Sequence, residues 1–119
     1  MIFMTFLCPI CGYGYLDEPP YDEYLDPDYD ICPSCGVEYG LEVEDIDKIG
    51  KVDYDNVRFN LPTLLVWWKI LRDHWIKEGC PWRDTVDKKP AGWDPKKQLK
   101  NVGYFLKKYE KTGKLDFSL

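Results

Sequence analysis

The chain has 119 residues, a formal net charge of −5 and an aromatic share of 16%, with five Trp, nine Tyr and five Phe. That length suits one domain, or one small domain with a helical appendage, and so many aromatics exclude a disordered chain. No apolar run approaches the length of a membrane span, so no transmembrane helix is predicted.

Met1 to Leu7 (MIFMTFL) is apolar but short. It has no basic flank and no small-residue cleavage site, so it reads as a strand over residues 2–7 rather than as a signal peptide. It leads into Cys8-Pro9-Ile10-Cys11-Gly12-Tyr13. Cys32-Pro33-Ser34-Cys35-Gly36-Val37 repeats the same C-P-x-C-G grammar, with twenty residues between Cys11 and Cys32. Two residues between the cysteines let one tight turn aim both sulfurs at the same ion. The following glycine permits a positive φ, and the proline presets one turn dihedral. Two such knuckles predict one closed tetrahedral site on Cys8, Cys11, Cys32 and Cys35, with Zn²⁺ the expected ion. Adjacent CxxC pairs make poor disulfide staples. Cysteine usage and the missing export signal point to the cytoplasm.

Residues 13–30 (YGYLDEPPYDEYLDPDYD) are rich in Pro, Asp and Tyr and lack periodicity. They predict an ordered loop between the knuckles. Val37 to Val43 alternates and reads as a strand. Residues 44–56 are acidic, carry a glycine and read as a connector. The clearest helix covers residues 61–78, where Leu61, Leu64, Leu65, Trp68, Leu71 and Trp75 form one apolar stripe. Trp67 lies off that stripe, either broadening the buried face or partly exposed. Gly79, Cys80 and Pro81 make a stop. Asp94-Pro95 is an N-cap followed by proline at the first helical position, opening a second helix from Pro95 to about Lys111. Leu99, Val102, Leu106 and Tyr109 form its apolar face, with Phe105 beside it. Lys96, Lys97, Lys100, Lys107, Lys108 and Lys111 flank that face, and Gly113 ends the helix. The predicted class is α+β: a small zinc ribbon, with its two knuckles on β-hairpins, over residues 1–56, and two α-helices packing on it over residues 57–119.

Charge is unevenly divided. Residues 1–60 hold fourteen acidic against three basic side chains, a net of −11, and residues 61–119 hold thirteen basic against seven acidic, a net of +6. The plain expectation is solvated faces, or attraction between the halves. The sharper one is a charged surface offered to a partner.

The chain resembles small bacterial cysteine-rich proteins of the CPCC type. The resemblance rests on Cys8 to Tyr13, Glu18-Pro19-Pro20-Tyr21, Ile31 to Gly36, Trp75 to Gly79 and Trp93 to Leu99. Where many members read C-P-C-C, Ser34 stands here and removes a thiol. The resemblance implies a zinc-binding ribbon and, by analogy with proteins found beside toxins, an immunity role. The knuckles are also similar to those of rubredoxin, which implies an Fe(Cys)₄ electron carrier as an alternative. The interval between pairs is shorter here, and the helical half is additional.

The favoured expectation is a non-catalytic, metal-binding protein-interaction module that neutralises a toxin through an acidic, aromatic surface. Tyr21, Asp22, Glu23, Tyr24 and Asp28 are the candidate contacts. The plainer expectation for Tyr13, Tyr15, Tyr21, Tyr24 and Tyr29 is packing of the loop itself. A nucleic-acid-binding ribbon is a further alternative, carried by the lysine-rich helix with Tyr104 and Tyr109. The acidic ribbon half argues against it. No enzyme is predicted, because four cysteines close the coordination shell. His74, the single histidine, reads as a surface residue, and Cys80 as a buried thiol outside the ligand set.

Overall fold

The computed structural model describes residues 4–53 and 59–119. Three helices organise them: α1 over Glu42–Lys48, α2 over Leu61–Lys77 and α3 over Pro95–Thr112. The remaining chain is irregular, tied by isolated antiparallel bridges at Phe6↔Leu16, Phe6↔Ser118, Tyr21↔Pro27 and Ile31↔Glu38.

Both long helices start and stop where their end signals stand. The Asn60 side chain caps α2 by accepting from the Thr63 N–H at 3.0 Å. Asp94 caps α3 by accepting from Lys96 N–H at 2.9 Å, and Gly113 ends it in the left-handed region. In α2, Leu64, Trp68, Leu71 and Trp75 of the predicted stripe are buried, and Trp67 is buried with them. In α3, Val102 and Phe105 are buried, and most of the flanking lysines face solvent.

The strands are the point of difference. Of the strand predicted over residues 2–7, residues 2 and 3 lie outside the described residues. Within the rest, Phe6 alone forms bridges, pairing with Leu16 on one side and Ser118 on the other. The C-terminal tail therefore closes against the chain start, with Leu7 N–H donating to Phe117 O at 2.8 Å and Leu119 N–H to Thr5 O at 3.2 Å. The strand predicted over Val37 to Val43 stops early. Glu38 pairs with Ile31, Gly40 turns the chain at φ 98°, and α1 begins at Glu42 inside the predicted strand and connector. Glu42, Glu44 and Asp45 sit in its first turn, where carboxylates favour the helix dipole. Ile46 is fully buried, and α1 packs on α2.

A single cluster of buried residues draws on both halves of the chain, joining Leu7, Ile10, Tyr21 and Tyr39 to Leu64, Trp68, Phe105 and Phe117. Trp68 is its hub, with Tyr21, Phe105 and Phe117 ring centroids at 5.5, 6.4 and 6.3 Å. Aromatic pairs at these separations add to what area burial contributes.

Candidate metal centre

The two knuckles fold by the same hydrogen bonds. In the first, Gly12 N–H donates to Cys8 O at 2.9 Å and Cys8 N–H to Tyr13 O at 2.8 Å. In the second, Gly36 N–H donates to Cys32 O at 2.8 Å and Cys32 N–H to Val37 O at 3.0 Å. Gly12 and Gly36 hold φ values of 84° and 77°, a region that L side chains enter only with strain. A Cβ would also collide in each case: at Gly12 it would lie 2.2 Å from the Gln98 carbonyl oxygen, and at Gly36 2.9 Å from Arg83 Cβ.

These turns bring all four predicted sulfurs within 4.8 Å of one another. Cys8 Sγ and Cys35 Sγ are 3.9 Å apart, and Cys11 Sγ and Cys32 Sγ 3.6 Å. A disulfide needs about 2.05 Å. A tetrahedron with metal–sulfur bonds of about 2.3 Å has edges of about 3.8 Å, which these separations bracket. Cys8, Cys11 and Cys32 are 0% exposed and Cys35 9%. Burial pushes the Cys11 and Cys35 thiols well up, and neighbouring thiols add to it. Burial is the largest influence on Cys8 and opposes its ionisation, but the neighbouring Cys11, Cys32 and Cys35 thiols, and then the nearby Tyr39, outweigh it and hold that thiol well below its usual range. The buried cluster as a whole resists collecting negative charge. A divalent cation removes that resistance, because metal-bound thiolates share its charge. The donor set and its spacing fit Zn²⁺ or iron.

The helical half grips the knuckles from outside. Arg72 on α2 donates through Nε to Ile10 O and through a terminal guanidinium nitrogen to Pro9 O, both at 2.8 Å. Burial lowers its pKa, and the Asp73, Cys8 and Cys11 charges counter that. On α3, Asn101 donates to Gly12 O at 2.9 Å, and Gln98 Nε2 to Cys11 O at 3.2 Å and Ser34 Oγ at 2.9 Å. Ser34 is fully buried, and this bond satisfies its hydroxyl. Beyond that bond the second knuckle is held by backbone: Arg83 N–H donates to Ser34 O at 3.2 Å and Asp84 N–H to Pro33 O at 2.9 Å. Beside it opens a cleft of about 590 Å³, with Cys32, Cys35, Leu71, His74 and Trp75 on its walls. His74 is half-exposed there and lies 3.0 Å from the Glu78 carboxylate, which also takes Arg83 at 2.6 Å. Cys80 is half-buried and outside the sulfur cluster.

The five candidate contact residues separate. Asp22, Glu23 and Tyr24 are exposed, Tyr24 at 78%, and Asp28 is half-buried. Asp22 and Asp28 also build the loop, accepting from the N–H groups of Tyr24, Asp26 and Asp30 at 2.8 to 2.9 Å. Tyr21 corrects the expectation. It is 2% exposed and belongs to the core, because its ring packs on Trp68 and its hydroxyl binds the buried Glu42 carboxylate. Glu42 also accepts from Trp68 Nε1 at 2.9 Å and Gly40 N–H at 2.6 Å. Burial, then the Glu42 charge, drives the Tyr21 pKa far upward. This network joins the inter-knuckle loop, α1 and α2. Sequence reasoning passed over it, and no spacing in the chain marks Glu42 out among the fourteen acidic side chains of residues 1–60.

No family model matches the chain, and no solved structure matches it. Among curated proteins it is similar to the "Uncharacterized protein YoaQ" of Bacillus subtilis (strain 168), with 35% identity over 51 residues. That match takes in 42% of this chain and 43% of the relative, so the chain spans less than half of the relative's length. No helix among the described residues is long and apolar enough to cross a membrane.

Proposed function

We propose that this chain is a non-catalytic interaction module built around a structural Zn²⁺ held by Cys8, Cys11, Cys32 and Cys35. The observation that carries the reading is the set of four buried sulfurs at tetrahedral spacing. Four protein ligands close the shell of a structural zinc, whereas catalytic zinc keeps an open position. Each knuckle is closed by one antiparallel bridge, a pared-down zinc ribbon in keeping with the CPCC-type resemblance. The ion takes the place of a sheet in ordering the loop-rich half, since structural zinc contributes on the order of 10–16 kcal/mol in small fingers.

The partner of this module is a basic protein. Exposed Asp22, Glu23 and Tyr24 support that reading, combining charge with an aromatic anchor on an ordered loop. An immunity protein filling a toxin's phosphate-binding cleft is its narrower form. Native purification with metal analysis and a visible spectrum tests the centre. One zinc per chain in a colourless protein is the expected result. One iron with a red charge-transfer band would make the chain an electron carrier, and no metal with four free thiols would overturn both. A double variant, Asp22→Lys with Glu23→Lys, tests the surface: it should lose whatever basic protein the native chain captures at low salt.

A further inference from the structure

Among the described residues, the Tyr39 hydroxyl is the buried side-chain oxygen that finds no hydrogen-bond partner. Buried polar groups are seldom left so. Tyr39 lies on the arm that returns from the second knuckle, where its N–H donates to Asp30 O at 3.1 Å beside the Ile31↔Glu38 bridge. That extended pairing turns Val37 and Tyr39 to one face, and both are buried. The ring packs edge-on against Tyr21 with centroids 6.3 Å apart. Tyr39 belongs to the same buried cluster as Cys8, Cys11, Cys32 and Cys35. Burial raises the Tyr39 pKa well above its usual value, and the charges of Cys8, Cys32, Cys35 and Cys11 raise it further. The hydroxyl in turn counts among the groups that favour the Cys8 thiolate, although it meets no sulfur in hydrogen-bonding geometry. A neutral thiol is a weak acceptor, and a thiolate a much stronger one.

We propose that Tyr39 is a positioning residue of the metal centre, whose hydroxyl donates to Cys8 Sγ when the sulfurs are ionised on a bound ion. The inference rests on the metal-centre reading above. It gives the hydroxyl opposite effects in two states. Without metal, the group is buried beside poor acceptors and destabilises the fold. With metal, it orients a ligand and offsets its negative charge, as outer hydrogen bonds do at other metal sites.

Tyr39→Phe keeps the ring and deletes the hydroxyl. The metal-free variant should resist denaturant as well as the native chain or better. Its zinc affinity, measured by chelator competition, should fall about 10-fold. With Co²⁺ in place of zinc, its thiolate-to-metal charge-transfer bands should move to lower energy, because the sulfur has lost a donor. In the native chain loaded with a spin-active cadmium isotope, the Tyr39 hydroxyl proton should couple to the metal through Cys8 Sγ. The cobalt and cadmium measurements need no folded metal-free protein. Loss of metal-free stability with unchanged zinc affinity, unchanged bands and no coupling would overturn the inference alone. A native chain that takes up no metal would overturn the metal-centre reading and this inference together.

Discussion

The two knuckles share one turn and differ in what covers them. The first is sealed by side chains from both long helices, through Arg72, Gln98 and Asn101. The second takes one side chain, Gln98 on Ser34, is otherwise held by two backbone bonds from residues 83 and 84, and faces an open cleft. Identical local grammar thus gives the sulfurs identical aim, while distant segments give them unequal shelter. Turn geometry is a property of six residues, and accessibility is a property of the whole chain.

The sharpest way to break the pairing is to remove one ligand from either knuckle. Cys11→Ser and Cys32→Ser should each release the metal and unfold the N-terminal half, with losses near the upper end for single substitutions. Metal content and thermal unfolding read this directly. If one variant kept its metal and its transition, the four sulfurs would not form a shared site.

The glycines sharpen the comparison on a smaller scale. Gly12→Ala and Gly36→Ala carry the same left-handed strain, roughly 1–2 kcal/mol. Their clashes differ, since the new Cβ at position 12 meets the Gln98 backbone oxygen at 2.2 Å, within α3, and that at position 36 meets Arg83 Cβ at 2.9 Å on an exposed loop residue. The loop can shift and the helix backbone resists. Gly12→Ala should therefore cost more, by about 1–3 kcal/mol, in denaturant unfolding of the metal-loaded protein. Equal losses would mean that the second knuckle is held as firmly as the first.

The same division explains what the sequence made legible. Both long helices were readable because their stripes and caps are local: Asp94 and Pro95 alone open α3. The cysteine set was readable because C-P-x-C-G encodes its own turn. The strands were not, since a single bridge such as Phe6↔Ser118 joins residues 112 positions apart with no alternating run at either end. α1 was hidden by the alternation of Val37 to Val43, which the turn at Gly40 cuts in two. Burial of Tyr21 depended on Glu42 and Trp68, and those partners are defined only by tertiary packing. Arg72 and Gln98 grip the knuckles from more than sixty positions away, a relation no motif records.

The smallest effects test the shelter itself. Cys80 lies outside the sulfur cluster, so Cys80→Ser should leave metal content unchanged, and any loss would make it a ligand. That variant then serves as the background for slow alkylation of the metal-loaded protein, followed by peptide mapping. Cys35 is the partly exposed ligand at 9%, and it lines the cleft, whereas Cys8 and Cys11 lie fully buried beneath the helices. The thiolate that meets the reagent first should be Cys35, with labelling there running ahead of metal release from the first knuckle. Simultaneous labelling of all four would mean that reagent enters only when the whole centre opens. In that case the cleft gives no separate access, and the two knuckles are equal in kinetics despite their unequal cover.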